Sequence, residues 1–206
     1  MGALSLTGPI ALAIALWLVA GRSWRLAGYW CVLFLAGLSV VVATKVAFFG
    51  WGIGSQALDF TGFSGHAMRA AAVFPLAFFL ALQNAAPSMR KAGVVLGIAC
   101  GVLISVSRVV VGAHSVSEAA LGCALGLGIA FAFMWRARAG RCFVPHPVLI
   151  ALSVCAVLLM PKNDTSPVTQ QTMVRLALFL SGHERPFVRQ GWKMASHQDA
   201  TLRAER

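Results

Sequence analysis

Six apolar runs dominate this chain, at about 3–20, 27–48, 66–83, 92–111, 115–135 and 147–160. A bilayer core about 30 Å thick takes roughly 20 helical residues to cross. Five of the runs meet or approach that length, and the sixth is short and ends at Pro161. Inside hydrocarbon every backbone N–H and C=O needs an internal partner, so such runs can only be helices packed together. The expected fold class is therefore all-α: a polytopic membrane protein with a six-transmembrane-helix bundle. Residues 1–160 form the membrane-embedded domain. The first run has no basic segment before it and is followed by Arg22 and Arg25, which argues against a cleaved signal peptide.

Charge orients the bundle. Only 11% of the 206 residues are charged, yet the formal net charge is +11. Three alternate connections carry Arg22 and Arg25, then Arg90 and Lys91, then Arg136, Arg138 and Arg141, with no acid among them. The positive-inside rule places these loops in the cytoplasm. Both termini and the loops near 49–65 and 112–114 then face outward, which at a bacterial inner membrane means the periplasm. No basic stripe interleaves with exposed aromatics, so nucleic acid is excluded as a partner. Five cysteines, at 31, 100, 123, 142 and 155, lie in or beside apolar runs without metal-like spacing and read as small core residues.

The tail from 161 to 206 has a different character. Ser166-Pro167 is a helix start, and Met173, Leu176, Ala177 and Leu180 follow at helical spacing. A C-terminal amphipathic helix over about 167–181 is expected, lying on the outer leaflet or against the bundle. Beyond about 190 the chain is polar.

The triplet Ser-Gly-His occurs twice, and position separates the copies. Gly182 follows the amphipathic helix, where glycine supplies a left-handed cap, so Ser181 and His183 sit beside its negative end. Ser64-Gly65-His66 stands instead at the start of the third span, where free N–H groups favour an anion. Charges inside spans add to this picture. Lys45, Arg69 and Arg108, with Asp59, His114 and Glu118, all fall in the outer half. Snorkelling residues have no need to share a side, so these read as one site. Taken singly, each has a structural account: Ser115-x-x-Glu118 is also a capping box, and Lys45 or Arg108 could reach lipid headgroups.

Taken in order, "K" at 45, "SGH" at 64–66 and "SRVVVGAHSVSE" at 107–118 resemble the type 2 phosphatidic acid phosphatase superfamily, whose blocks read K-x6-R-P, P-S-G-H and S-R-x5-H-x3-D. The resemblance covers 45–118. This chain departs from it at Gly52-Ile53 for Arg-Pro, at Phe63 for proline, and at Glu118 for aspartate. The resemblance implies a lipid phosphatase with His114 as nucleophile, Glu118 orienting it, and His66 as the acid that protonates the leaving oxygen and then activates water. Lys45, Ser64, the Gly65 N–H and Arg108 would hold the phosphate. Arg69, one turn after His66, is expected either to replace the missing first-block arginine or to anchor a headgroup. Asp59 is expected to pair with one of these cations.

The expected substrate is a lipid phosphate reached from the membrane: an isoprenyl (di)phosphate, phosphatidic acid, phosphatidylglycerol phosphate or a lipid A phosphate. No metal or other cofactor is implied, since side-chain cations serve the phosphate and no carboxylate cluster stands ready for magnesium. The rivals are a phosphotransferase of the same family, a non-enzymatic phospholipid binder, and a bis-histidine haem carrier. Haem is disfavoured by the placing of His66 and His114 at span ends.

Overall fold

The computed structural model describes residues 3–138, 152, 153, 155 and 166–189. Six helices make up most of this: α1 Ala3–Ala20, α2 Trp24–Trp51, α3 Gly65–Ala81, α4 Pro87–Val110, α5 Val116–Arg138 and α6 Ser166–Ser181. Among the described residues there is no strand, only an isolated bridge between Ser55 and Phe60 in the α2–α3 loop. The first five helices coincide with the first five apolar runs to within a few residues. The sixth run, 147–160, lies almost wholly outside the described residues.

Among the described residues three helices are long and apolar enough to cross a membrane: α2, α4 and α5. Their outward faces carry Val32, Leu35, Val95, Leu96 and Leu103, each more than half exposed. In water such a surface would be costly, whereas lipid accepts it. The molecule is built as a helical membrane protein. Two shorter apolar helices complete the bundle, within α1 and at α3.

Helix α3 is the axle. Ala67, Met68, Ala70, Ala71, Ala72, Val73 and Leu76 are all fully buried. It is enclosed because its two neighbours face it with glycine. A Cβ at Gly97 would stand 2.6 Å from Pro75 Cα, and one at Gly101 would stand 2.9 Å from Ala71 Cα. On α5, a Cβ at Gly122 would come within 2.5 Å of Ser64 O, and one at Gly126 within 2.1 Å of Met68 O. Where lipid supplies no hydrophobic drive between helices, such backbone-to-backbone approach provides the van der Waals attraction. Helix α1 adds a second anchor, its Ala11 carbonyl accepting the buried Trp30 indole N–H at 3.0 Å.

Helix α6 packs against α2 rather than standing free. Ala177 is fully buried, and a Cβ on Gly50 would meet Ala177 O at 3.2 Å and Ser181 Cβ at 3.3 Å. Its buried side is only partly the expected stripe: Ala177 is in, while Leu176 and Leu180 are exposed together with Phe179. Gly182 ends the helix at φ +70° with its N–H on Leu178 O at 2.9 Å, the left-handed cap expected from the sequence.

Candidate active site

Alternating helix directions bring the end of α2, the start of α3, the end of α4 and the start of α5 to one end of the bundle. Arg22, Arg25 and Arg136 line a common depression at the other end. The sequence-derived site residues all belong to the first end.

Ser64 caps α3. Its backbone is extended, its hydroxyl accepts the Ala67 N–H at 3.4 Å, and it is fully buried. Its own N–H donates to the Glu118 carbonyl at 3.1 Å, which ties the start of α3 to the start of α5. Gly65 is then the first helical residue and His66 the second. Arg69 donates from Nε back to the Gly65 carbonyl at 3.0 Å, which holds its guanidinium beside the helix start.

Arg108 lies in the last turn of α4. Its carbonyl accepts the N–H groups of Ala113 and His114 at 3.0 and 3.2 Å, so the turn folds back and sets His114 over the helix end. Arg108 Nε is buried and has no hydrogen-bond partner among the described residues. A buried donor of this kind is uncommon in a folded protein and marks a place where an acceptor belongs.

Glu118 is the most constrained group of the site. It is 1% exposed. Oε2 faces His114 Nδ1 at 2.8 Å and the Ser115 N–H at 3.4 Å. Oε1 takes the Thr61 N–H at 2.9 Å, the Thr61 hydroxyl, and Arg189 Nη2 at 2.5 Å. The Glu118 N–H in turn donates to Ser115 Oγ at 3.3 Å. The capping-box contacts and the contact to His114 therefore coexist at Glu118.

This arrangement selects the histidine tautomer. A carboxylate ringed by donors acts only as an acceptor, so the proton of a neutral His114 sits on Nδ1. Nε2 then carries the free lone pair. The His66 ring lies 6.3 Å from that of His114, centroid to centroid, tilted by 56°. Lys45, Arg69 and Arg108 all stand near enough to His66 for their charges to act on it. Lys45 is held from the other side by the α2–α3 loop. Gly62, at φ +138°, brings its Cα face against the Lys45 chain, where a Cβ would meet Lys45 Cγ at 3.0 Å. Glycine is needed there for both the conformation and the space.

Lys45, Ser64, Gly65, His66, Arg69, Arg108, His114 and Glu118 are thus brought to one end of the bundle. Asp59 requires a correction. It pairs with Arg189, Nε to Oδ1 at 3.3 Å, and not with Lys45, Arg69 or Arg108. The reason is topological: the chain after α6 returns over the end of α2 and delivers a cation from outside the motif blocks. Thr61 and Arg189 are the site residues that sequence reasoning missed. Neither lies at a motif spacing, and Arg189 is 71 residues from its Glu118 partner.

Comparison with known proteins identifies a family. The family model of the PAP2 superfamily matches residues 48–141, the stretch holding both histidines, Arg108 and Glu118. The chain belongs to the PAP2 superfamily. It is also 32% identical over 190 residues, 88% of each chain, to a Klebsiella pneumoniae protein described as an uncharacterized 22.5 kDa protein in the cps region. No solved structure matches. Membership of the PAP2 superfamily points to a phosphatase, a phosphoric ester hydrolase in general. At the site end His114 Nδ1 lies on Glu118 and the His66 ring stands 6.3 Å from that of His114.

Proposed function

We propose that this PAP2 protein is an integral membrane lipid phosphatase working through a phosphohistidine. The observation that carries the reading is the His114 Nδ1 to Glu118 contact at 2.8 Å, which leaves Nε2 as the free nitrogen for attack, with the His66 ring 6.3 Å away. In the first step the Nε2 lone pair attacks phosphorus and the ester P–O bond breaks. His66 gives its proton to the departing lipid oxygen. In the second step His66 takes a proton from water, the oxygen attacks phosphorus, the P–N bond breaks and phosphate leaves. Lys45, Arg69, Arg108, Ser64 and the Gly65 N–H hold the equatorial oxygens, where charge concentrates during transfer. Glu118 steadies the imidazolium that forms at His114.

The substrate is the phosphomonoester or diphosphate of a lipid, of isoprenyl, phosphatidate, phosphatidylglycerol phosphate or lipid A type. Its apolar part stays in the bilayer and its phosphate reaches the site from the side. The test is phosphate release from a panel of these lipids in detergent micelles. Turnover should persist in chelator and be blocked by vanadate, which copies five-coordinate phosphorus. Turnover lost in chelator and restored by magnesium would contradict the side-chain mechanism.

The same reading takes the bundle as six-spanning, with a sixth helix over 147–160, in a bacterial inner membrane. The site faces the periplasm, and residues 161–206 form a periplasmic tail. Reporter fusions at residue 160 and in the α3–α4 connection at 82–86 should then give opposite signals. Equal signals would remove both the topology and the outer-leaflet site.

A further inference from the structure

Residues 182–189 leave the α6 cap and return across the end of α2. Two contacts dock them. The Phe187 N–H donates to the Phe49 carbonyl at 2.9 Å. The Phe187 ring lies on Gly52, where a Cβ would meet Phe187 Cδ1 at 3.0 Å. Gly52 is itself left-handed, at φ +68°, as the C-cap of α2. The residue that breaks the first motif block is thus the one that makes room for this segment. Two residues beyond Phe187, Arg189 reaches past the rim. It bridges Asp59, which is half-exposed, and Glu118, which is buried. A second Nη2 contact reaches Thr61 Oγ1 at 3.4 Å.

From this geometry we infer that residues 182–189 form a strap over the outer end of the bundle and that Arg189 is a positioning residue for the Glu118–His114 pair. The physical argument concerns the carboxylate. Glu118 has to keep Oε2 on His114 Nδ1 while its own charge is buried. A buried carboxylate is stable only when paired and fully hydrogen-bonded. Thr61 supplies two neutral donors to Oε1, and Arg189 supplies the formal charge at that oxygen. With Oε1 pinned, the carboxylate cannot rotate away from the imidazole. Asp59 holds the guanidinium from the outer side, which fixes the direction of its Nη2. The strap thereby couples the tail of the chain to the tautomer of the nucleophile. This role for Arg189 rests on the phosphatase reading above, whereas docking of the strap does not.

The test uses the full-length protein in detergent micelles, with phosphatidic acid and isoprenyl diphosphate as probes. Arg189→Ala should lower kcat by about 10²-fold, as expected for a displaced reacting group, while KM changes by less than about threefold. Arg189→Lys should recover part of the loss, and added guanidinium ion should recover part of it in Arg189→Ala. A purely structural arginine would show neither recovery. Wild-type kcat in Arg189→Ala, or a loss that neither lysine nor guanidinium repairs, would overturn the role. Docking has its own readout in tryptic cleavage after Arg189. Cleavage should be slow in the native protein and fast in Asp59→Asn, followed by mass spectrometry. Arg185 gives no competing cut, because Pro186 follows it. Equally fast cleavage in both would overturn the strap. If neither lipid released phosphate from wild type while Arg189 stayed protected, the phosphatase reading would fall and the docked strap would stand.

Discussion

Replacing His114 with alanine is expected to abolish turnover on every lipid phosphate. In the proposed reaction the P–N bond is the only path from substrate to product, so no other residue can share the task. Losing a nucleophile of this kind costs on the order of 10⁶-fold in comparable enzymes. The fold should survive, because His114 lies in the turn between α4 and α5 rather than in the packed axle of α3. Phosphate release by purified His114→Ala, with an unchanged thermal midpoint, is the measurement. A variant with robust activity would overturn the assignment of the nucleophile.

His66→Ala is expected to fail differently. A positioned acid or base contributes about 10²–10⁴-fold, so residual turnover should remain measurable. The loss should shrink on a nitrophenyl phosphate, whose leaving group needs no proton. In the proposed reaction His66 also serves the second step, so its removal should let the covalent intermediate accumulate. Acid-labile labelled phosphoprotein is then expected in His66→Ala and absent from the His66→Ala, His114→Ala double variant. The two rings lie 6.3 Å apart, which leaves room between them for a phosphoryl group travelling from leaving oxygen to nitrogen. Equal loss on alkyl and nitrophenyl substrates, without trapped phosphoprotein, would remove the acid role from His66.

Much of the site was legible because its signals are local. Ser64 at the start of α3, and Ser115 with Glu118 at the start of α5, follow from capping chemistry that acts within one turn. His114 and Glu118 meet because Ser115 caps α5, which leaves the residue just before the cap beside the first helical turn. Both contacts expected of Glu118, to the Ser115 backbone and to His114, are present. The close packing of α3 rests on a signal that the sequence reading passed over: Gly97 and Gly101 on one helix and Gly122 and Gly126 on the next. That spacing was a readable sign of helices in backbone contact.

Apolar run length by itself determined the helical class and the bounds of the first five helices, because a bilayer leaves the backbone no alternative to internal hydrogen bonding. Motif order determined which residues share one end, because helices that alternate in direction return to it at every second turn. Only the tertiary structure decided who partners Oε1 of Glu118. Thr61 lies in an irregular loop shaped by the positive φ of Asp59 and Gly62, and such loops carry no period to read. Arg189 arrives from beyond α6, and its approach depends on α6 packing against α2 and on the open space at Gly52. Contacts across such separations are set by how whole helices pack, and sequence spacing holds no record of that.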